Sequence, residues 1–379
     1  MTKRSAVTMW DFSWLLRREG ATAEYADVDR VLDELAERGY DTVRIDAFPH
    51  LIAADSDGVT VEEHVVLPQP PGFMWGNREP VRVAPRPELI RFVAGVKQRG
   101  MRVGLSTWFT PDTTDRAGQV RTPEDLARIW IETLEVLELA NLIDAVEWVD
   151  LCNEWPGWAG GVMDEVFGPP KDRGDLEQRP WTDDEVVRLS RYARSLELVG
   201  EQFPMIPTTL SYYLRGNQPP LSRDIMRLPT AAYGLGEPHL WLSTAAPKFI
   251  EQTKYQDNYS QDTTNLTEHE QLVHDRYWVE RGMYLADFAK TLDEWSQWSK
   301  ERDIPLYTTE GWASVGWSPD LVQGWSGWDY VKDVAEQVVP MAIDRGWVGI
   351  CTSNFSQPHF PGMWEDVEWH RRMTDLIHA

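Results

Sequence analysis

The sequence predicts an α/β fold of the (β/α)8 barrel type, and two features of its pattern support that prediction. Short apolar segments alternate eight times with segments of helical period along 379 residues, without a break in composition or a Gly/Ser linker. The apolar segments are continuous runs, which is typical of parallel strands covered by helices. A count of eight favours a closed barrel over an open doubly wound sheet. We therefore expect a single domain over residues 1–379.

The first half of the chain supplies four of the predicted strands. They are expected at residues 7–10, 42–47, 101–107 and 145–152. Helices are expected between them, at residues 25–38, 87–99 and 122–141, and a glycine follows each of the first two. The third begins with Thr122 as N-cap and Pro123 in its first turn, a combination typical of helix starts.

The second half repeats the alternation less regularly. Strands are expected at 205–212, 237–243, 305–309 and 348–354, and helices at 183–200, 267–302, 329–345 and 366–378. The stretch 220–228 is weak as a helix. Two extended loops are expected, at about 48–87 and 244–266. The first is rich in Pro and Gly, and the second is polar without periodicity over 248–265, so we expect it to lie over the barrel mouth.

The composition limits the possible partners. A net charge of −24 disfavours nucleic acid and anionic membrane surfaces, so a neutral carbohydrate is the easier ligand. The two cysteines, Cys152 and Cys351, fall in predicted strands and do not form a disulfide framework. No apolar run of about eighteen residues and no secretory signal is visible, so a cytoplasmic location is expected. The oligomeric state stays open.

Two strand ends share one design. Glu154 ends the fourth predicted strand just before Trp155, and Glu310 ends the seventh, two residues before Trp312. A buried carboxylate costs several kcal/mol unless it is paired or used, and barrel chemistry sits at the carboxyl ends of the strands. Two carboxyl groups about 5–5.5 Å apart cleave a glycosidic bond with retention, one as acid and the other as nucleophile. The alternative is a pair of structural salt bridges at the rim.

Further candidates lie on the same predicted edge. Arg44, within the second strand, is placed to keep the nucleophile ionised, or else to pair with Asp46 or Asp11. Asn153 is placed to hydrogen-bond the 2-hydroxyl of the reacting sugar. For the remaining strand-end residues, ordinary packing or loop polarity is the alternative to sugar binding; they are His239, Asp11, Asp46, Trp108, Trp155, Trp241, Trp312 and Asn354. No zinc motif, P-loop or GxGxxG occurs, so no metal and no cofactor are expected.

These residues resemble those of clan A glycoside hydrolases, most closely family 5 and its cellulase-like relatives. The resemblance covers the whole predicted barrel in order, through Val43-Arg44-Ile45, Asn153-Glu154, His239 and Thr309-Glu310-Gly311-Trp312. It implies a retaining mechanism with Glu154 as acid/base and Glu310 as nucleophile. Three positions depart from the family pattern. Ser106-Thr107-Trp108 replaces a histidine, Trp241 a tyrosine and Ser353-Asn354-Phe355 a tryptophan, so the resemblance does not carry cellulose specificity to this chain.

The sequence thus predicts a retaining β-glycosidase acting on a neutral oligosaccharide or glycoside. Two alternatives of other classes stay open: a catalytically silent sugar-binding barrel, and a metal-dependent sugar isomerase or epimerase. A transglycosylase shares the first half-reaction. The sugar, the linkage and the choice between endo and exo action are not determined by the sequence.

Overall fold

The computed structural model describes residues 4–20, 23–70, 73–173, 176, 179–213, 224–253, 266–315 and 325–379. Its main sheet has parallel strands at Ser5–Asp11 (β1), Thr42–Asp46 (β2), Arg102–Ser106 (β5), Val146–Asp150 (β6), Thr208–Thr209 (β7), Tyr307–Thr308 (β10) and Gly349–Cys351 (β12). A second sheet contains Tyr212–Tyr213 (β8), Pro238–Trp241 (β9) and Gly311–Trp312 (β11), and a hairpin joins His64–Val66 (β3) to Val81–Val83 (β4).

The two sheets together close a ring of parallel strands. The order in the main sheet is β10-β12-β1-β2-β5-β6-β7, and in the second sheet β11-β9-β8. The chain passes directly from β7 to β8 and from β10 to β11, and a parallel bridge between Gly236 and Leu306 joins the β9 and β10 segments. β7 with β8, and β10 with β11, each form one position in the ring, and the β3–β4 hairpin lies outside it. Eight parallel strand positions therefore close the ring in the described residues, and the predicted (β/α)8 barrel is confirmed.

Helices surround this ring. They are Ser13–Leu16 (α1), Val28–Glu37 (α2), Pro49–Ile52 (α3), Pro85–Gln98 (α4), Pro123–Leu139 (α5), Gly160–Phe167 (α6), Asp183–Ser190 (α7), Ala193–Gln202 (α8), Leu242–Ala245 (α9), Pro247–Thr253 (α10), Leu266–Arg302 (α11), Trp328–Asp344 (α12), Pro361–Trp364 (α13) and Val367–His378 (α14). Thr122 caps α5 as expected, since its side chain accepts from the Asp125 N–H. Among the helices in these ranges, none has the length and apolar character needed to cross a membrane.

Several predicted boundaries are wrong. The single helix expected at 183–200 is two helices that meet at Arg191 and Tyr192, where the Tyr192 ring packs on Trp155 and its hydroxyl donates to the Arg121 carbonyl. The strand expected at 205–212 is divided into β7 and β8. The stretch 48–87 contains α3 and the β3–β4 hairpin. The first part of the polar stretch 248–265 is helical, and residues 254–265 lie outside the described ranges, as do 220–223.

The barrel interior changes character from bottom to top. At the amino-terminal end of the strands, Val7, Trp148 and Leu235 form a small apolar cluster against Tyr307. The Trp148 ring fits because Gly104 faces it: a Cβ built there would lie 2.3 Å from the ring. Side chains alternate along a strand, so Met9, two places beyond Val7, also points inward, and the register of β1 shifts between Met9 and Asp11. The upper interior, at the carboxyl ends, is polar and charged.

Candidate active site

The side chains of Glu154 and Glu310 meet above the barrel, on either side of His239. His239 Nδ1 lies 3.2 Å from Glu154 Oε1 and 3.6 Å from Glu310 Oε2. One oxygen of each carboxyl group and a ring nitrogen of the histidine lie within 4.8 Å of one another. The two predicted acids therefore share one site, although 155 residues lie between them in the chain.

Arg44 connects this group to a second layer of acids below it. Its guanidinium is fully buried and contacts Glu310 Oε1 through Nη1 at 2.9 Å. Nη2 lies 2.6 Å from Asp150 Oδ2, and Nε lies 3.2 Å from Glu237 Oε1. Nη2 also donates to Asn153 Oδ1 at 2.7 Å. Arg44 thus fixes the predicted nucleophile and the neighbouring asparagine in one network.

Arg44 does not pair with Asp46 or Asp11, the alternative partners expected from the sequence. Asp46 accepts hydrogen bonds from the backbone N–H groups of Phe48 (2.7 Å) and Trp108 (3.0 Å). Asp11 Oδ1 accepts from both the N–H (2.6 Å) and the hydroxyl (2.7 Å) of Ser13. Within the described structure neither aspartate lies at ion-pair distance from Arg44. The face of the guanidinium instead lies over the Trp108 ring, 4.7 Å from its centroid.

Four carboxyl groups surround the Arg44 guanidinium and the His239 imidazole. The charges of these groups determine which of them are protonated. Burial acts to lower the pKa of His239, but the charge of Glu310 and the hydrogen bonds to Glu154 and Glu237 raise it to about 10. The imidazole is therefore charged at neutral pH. Burial raises the pKa of Glu310 to about 7, although the positive charges of His239 and Arg44 act to lower it.

The pKa values of Asp150 and Glu237, the two acids of the second layer, are shifted in opposite directions. Burial, followed by the charge of Glu237, raises the pKa of Asp150. Burial also acts to raise the pKa of Glu237, but Arg44 and His239 lower it overall. Glu237 therefore remains the ionised partner beneath both cations.

The backbone bends sharply where the acid side chains leave the strands. Glu154 has a φ of 46° and Asp11 a φ of 41°, in the left-handed region that residues other than glycine rarely adopt. Glu154 is held there because its N–H donates to Ser211 Oγ at 2.9 Å, and Trp158 Nε1 donates to Glu154 Oε2 at 3.3 Å. Such conformations persist where the surrounding contacts determine them, and they cluster at functional sites.

The predicted tryptophans occupy unlike positions. Trp312 is fully buried, packs on Phe288 and donates to the Cys351 carbonyl at 3.1 Å. Trp155 is 3% exposed and faces Tyr192 on the outside of the barrel. Trp241 is the half-buried member of the predicted set, with its edge against Phe355. Asn354 is fully buried, and its side-chain nitrogen and oxygen have no hydrogen-bond partner among the described residues.

Sequence reasoning missed Asp150, Glu237, Trp158 and Ser211. Asp150 and Glu237 are acids placed within or next to apolar strand residues, and that placement is the signal that could have identified them. Glu154, His239 and Glu310 also form the donor set for a metal ion in the part of the chain that the structure describes. A metal would have to displace the proton that His239 holds, because only the neutral imidazole is a ligand.

Comparison with known proteins agrees with this architecture. A family model described as cellulase-like, and as sugar-binding cellulase-like, matches residues 7–378. The crystal structure of a protein from Parabacteroides distasonis, whose assignment as a glycoside hydrolase is provisional, is 31% identical with a TM-score of 0.83, over 100% of this chain and 94% of that one.

Two more distant structures share the fold. An endocellulase from Pyrococcus horikoshii is 11% identical with a TM-score of 0.51, over 97% of this chain and 92% of that chain. An endo-β-1,4-mannanase from Thermotoga petrophila is 12% identical with a TM-score of 0.53, over 100% and 78%. No curated protein matches the sequence. The predicted resemblance is confirmed: the chain belongs to the cellulase-like family, within the glycoside hydrolase-like (β/α)8 barrels.

Proposed function

We propose that this protein is a retaining glycosidase that cleaves β-glycosidic bonds of a neutral oligosaccharide or glycoside, with the whole chain as one catalytic domain. The supporting observation is the approach of Glu154 and Glu310, which have carboxyl oxygens within 4.8 Å of each other. Retaining enzymes hold their carboxyl pair about 5–5.5 Å apart, whereas inverting enzymes need about 6.5–9.5 Å to admit a water. The net charge of −24 favours a neutral substrate.

In this proposal Glu310 is the nucleophile. The Arg44 guanidinium at 2.9 Å and the His239 imidazolium at 3.6 Å both favour its ionised form. A carboxylate oxygen of Glu310 attacks the anomeric carbon, and the bond from that carbon to the leaving oxygen breaks. The product of this step is a glycosyl ester on Glu310.

Glu154 is the acid/base of the same cycle. Its carboxyl group gives its proton to the leaving oxygen in the first step, and as a carboxylate it takes a proton from water in the second. That water attacks the anomeric carbon and releases Glu310. In this proposal Asn153, which accepts a hydrogen bond from Arg44 next to this pair, binds the 2-hydroxyl of the reacting sugar.

Trapping the glycosyl ester tests this function. The protein is incubated with 2-deoxy-2-fluoro-glucosyl and mannosyl fluorides, digested, and analysed by mass spectrometry. We expect one label on the peptide that contains Glu310, and none on Glu310→Gln. A label on another residue, or an inverted anomeric product seen by NMR, would contradict the proposed roles.

A sugar-binding protein without turnover is the second candidate, because the matching family is described as sugar-binding. Aryl β-glycosides separate the two functions. Release of the phenol by the purified protein, absent in Glu310→Gln, supports the glycosidase. Binding of oligosaccharides by calorimetry without any release of phenol supports the binding protein.

A further inference from the structure

We propose that the buried carboxylate of Glu237 promotes attack by the nucleophile Glu310. It acts through Arg44 and His239, because it offsets the positive charge with which these two side chains hold Glu310 as a carboxylate. Glu237 is fully buried, so it is a positioning residue that acts without touching the sugar. The inference rests on the proposed glycosidase function and assigns to Glu237 a part in its first chemical step.

Glu237 meets Arg44 inside the barrel from the opposite side. It directly precedes β9, which takes the sixth position in the ring, whereas Arg44 belongs to β2, at the second position. The second and sixth of eight positions lie across the barrel from each other. Both side chains are fully buried, and Glu237 Oε1 lies 3.2 Å from Arg44 Nε. The two charges are therefore paired in the barrel interior, away from solvent.

The same oxygen of Glu237 also faces His239. Side chains alternate along a strand, so His239, two residues further on, lies on the same side and one step closer to the barrel mouth. Its Nε2 is 3.8 Å from Glu237 Oε1. The other ring nitrogen, Nδ1, is 3.6 Å from Glu310 Oε2. The imidazole thus lies between Glu237 and Glu310, with one nitrogen toward each.

Arg44 lies between the same two carboxyl groups. Its Nη1 is 2.9 Å from Glu310 Oε1, so each oxygen of Glu310 faces one of the two cations. The Thr309 hydroxyl donates to Glu237 Oε1 at 2.5 Å and fixes the oxygen that both cations face. A carboxyl group beside a guanidinium and a hydroxyl donor is favoured in its ionised form. Glu237 therefore shares both cations with the nucleophile.

The first chemical step removes negative charge from Glu310. One of its oxygens bonds to the anomeric carbon while the bond from that carbon to the leaving oxygen breaks, and the proton of Glu154 passes to the leaving oxygen. Glu310 becomes a neutral ester and Glu154 a carboxylate. Buried cations that lose their only anion become costly. Because Glu237 stays ionised beneath Arg44 and His239, they keep an anionic partner when the ester forms.

The second step restores the charge of Glu310, so Glu237 acts differently on the two steps. Cations without another partner favour the return of the Glu310 carboxylate. Both transition states also place positive charge on the sugar, and the negative charge of Glu237 stabilises it in each. Loss of this charge should therefore slow the first step, whereas its two effects on the second step oppose each other. A residue needed only for folding would slow both steps alike.

Glu237→Gln, which removes the charge and keeps the shape, tests this difference. The first step is followed as kcat/KM for the 4-nitrophenyl glycoside that the wild type hydrolyses. The second is followed as the rate at which the isolated 2-fluoroglycosyl ester of the protein is hydrolysed and activity returns. We expect kcat/KM to fall about 10²-fold and the rate of ester hydrolysis to change by less than about threefold.

Two further variants serve as controls. Glu147→Gln makes the same change in another barrel-strand acid, whose carboxylate accepts from the hydroxyls of Thr42 and Tyr307, and both rates should remain those of the wild type. Glu237→Asp keeps the charge on a side chain one methylene shorter. It should recover most of the kcat/KM that Glu237→Gln loses, with the rate of ester hydrolysis again little changed. Thermal unfolding of each variant reports its folding.

Equal losses in the two rates of Glu237→Gln would overturn the inference and leave the glycosidase function intact, and so would an unchanged kcat/KM. If Glu237→Gln does not fold, Glu237→Asp decides in the same way: a loss confined to kcat/KM supports the inference, and equal losses overturn it. A wild type that forms no glycosyl ester would overturn the proposed function, and the role of Glu237 with it.

Discussion

Glu154 and Glu310 each leave a barrel strand just ahead of an aromatic residue, yet their side chains lie in different surroundings. Glu154 is partly open to solvent and is held by a tryptophan and a histidine. Glu310 is buried against Arg44, above the second layer of acids. The same local design therefore yields two chemically different carboxyl groups, because neighbouring strands provide different partners.

Removing the buried acid should have the largest effect. Glu310→Gln keeps the shape of the side chain but cannot form the glycosyl ester, so we expect kcat to fall by about 10⁴-fold or more. Steady-state hydrolysis of an aryl β-glycoside measures the loss. Thermal unfolding of the variant serves as the control for folding, and substantial remaining turnover in a folded variant would contradict the nucleophile assignment.

Removing the exposed acid should have a smaller effect that depends on the leaving group. Glu154→Gln is expected to lower kcat/KM by about 10²–10⁴-fold, the usual contribution of general acid–base catalysis. Aryl glycosides with strongly acidic phenols need little protonation, so the first step should suffer least with them. Equal losses across a series of phenols would show that Glu154 does not protonate the leaving group.

The pH profile should report the buried member of the pair. Glu310 reacts when ionised and its pKa is raised to about 7, so kcat/KM should rise with pH up to about 7, with roughly a tenfold loss per unit below it. Burial also raises the pKa of Asp46 to about 7. Asp46→Asn therefore identifies the group: if the acidic limb moves in this variant, Asp46 and not Glu310 sets it.

The smallest effect should come from the indole that holds Glu154. Trp158→Phe keeps an aromatic ring but removes one hydrogen bond of 3.3 Å. A hydrogen bond contributes about 0.5–1.5 kcal/mol, so kcat/KM should fall only about 2–10-fold. The loss should grow with poorer leaving groups, because the acid is the group affected, and a loss independent of the leaving group would argue against this role.

The sequence predicts the first half of the barrel better than the second. Strands such as β2 and β5 are apolar runs that follow helices ended by a glycine, and their positions agree with the expectation within one or two residues. The strand expected at 305–309 spans only Tyr307–Thr308. There the chain leaves the ladder early, since Thr309 Oγ1 donates to Glu237 and the next residue turns into the cavity. The early end of this strand depends on Glu237, a residue of another strand segment, and so cannot be predicted from the local sequence.

The same limit applies to the site. Glu154 and Glu310 could be singled out because an acid at the end of an apolar strand is not explained by local packing. Asp150 is missed because its partner Arg44 lies 106 positions away in the sequence. Local patterns contain no information on that pairing, nor on the packing that turns Trp312 into a core side chain.

The small apolar cluster of Val7, Trp148 and Leu235 affects how salt acts on the buried charges of the barrel. It seals the lower end of the barrel, and Arg44 and Glu237 are fully buried directly above, so dissolved ions cannot approach them from below. Screening by electrolyte acts mainly on charges that ions can reach. The electrostatic interactions of Arg44 with its buried carboxylates should therefore change little between dilute buffer and molar sodium chloride, although the same change screens the charges of the acidic outer surface.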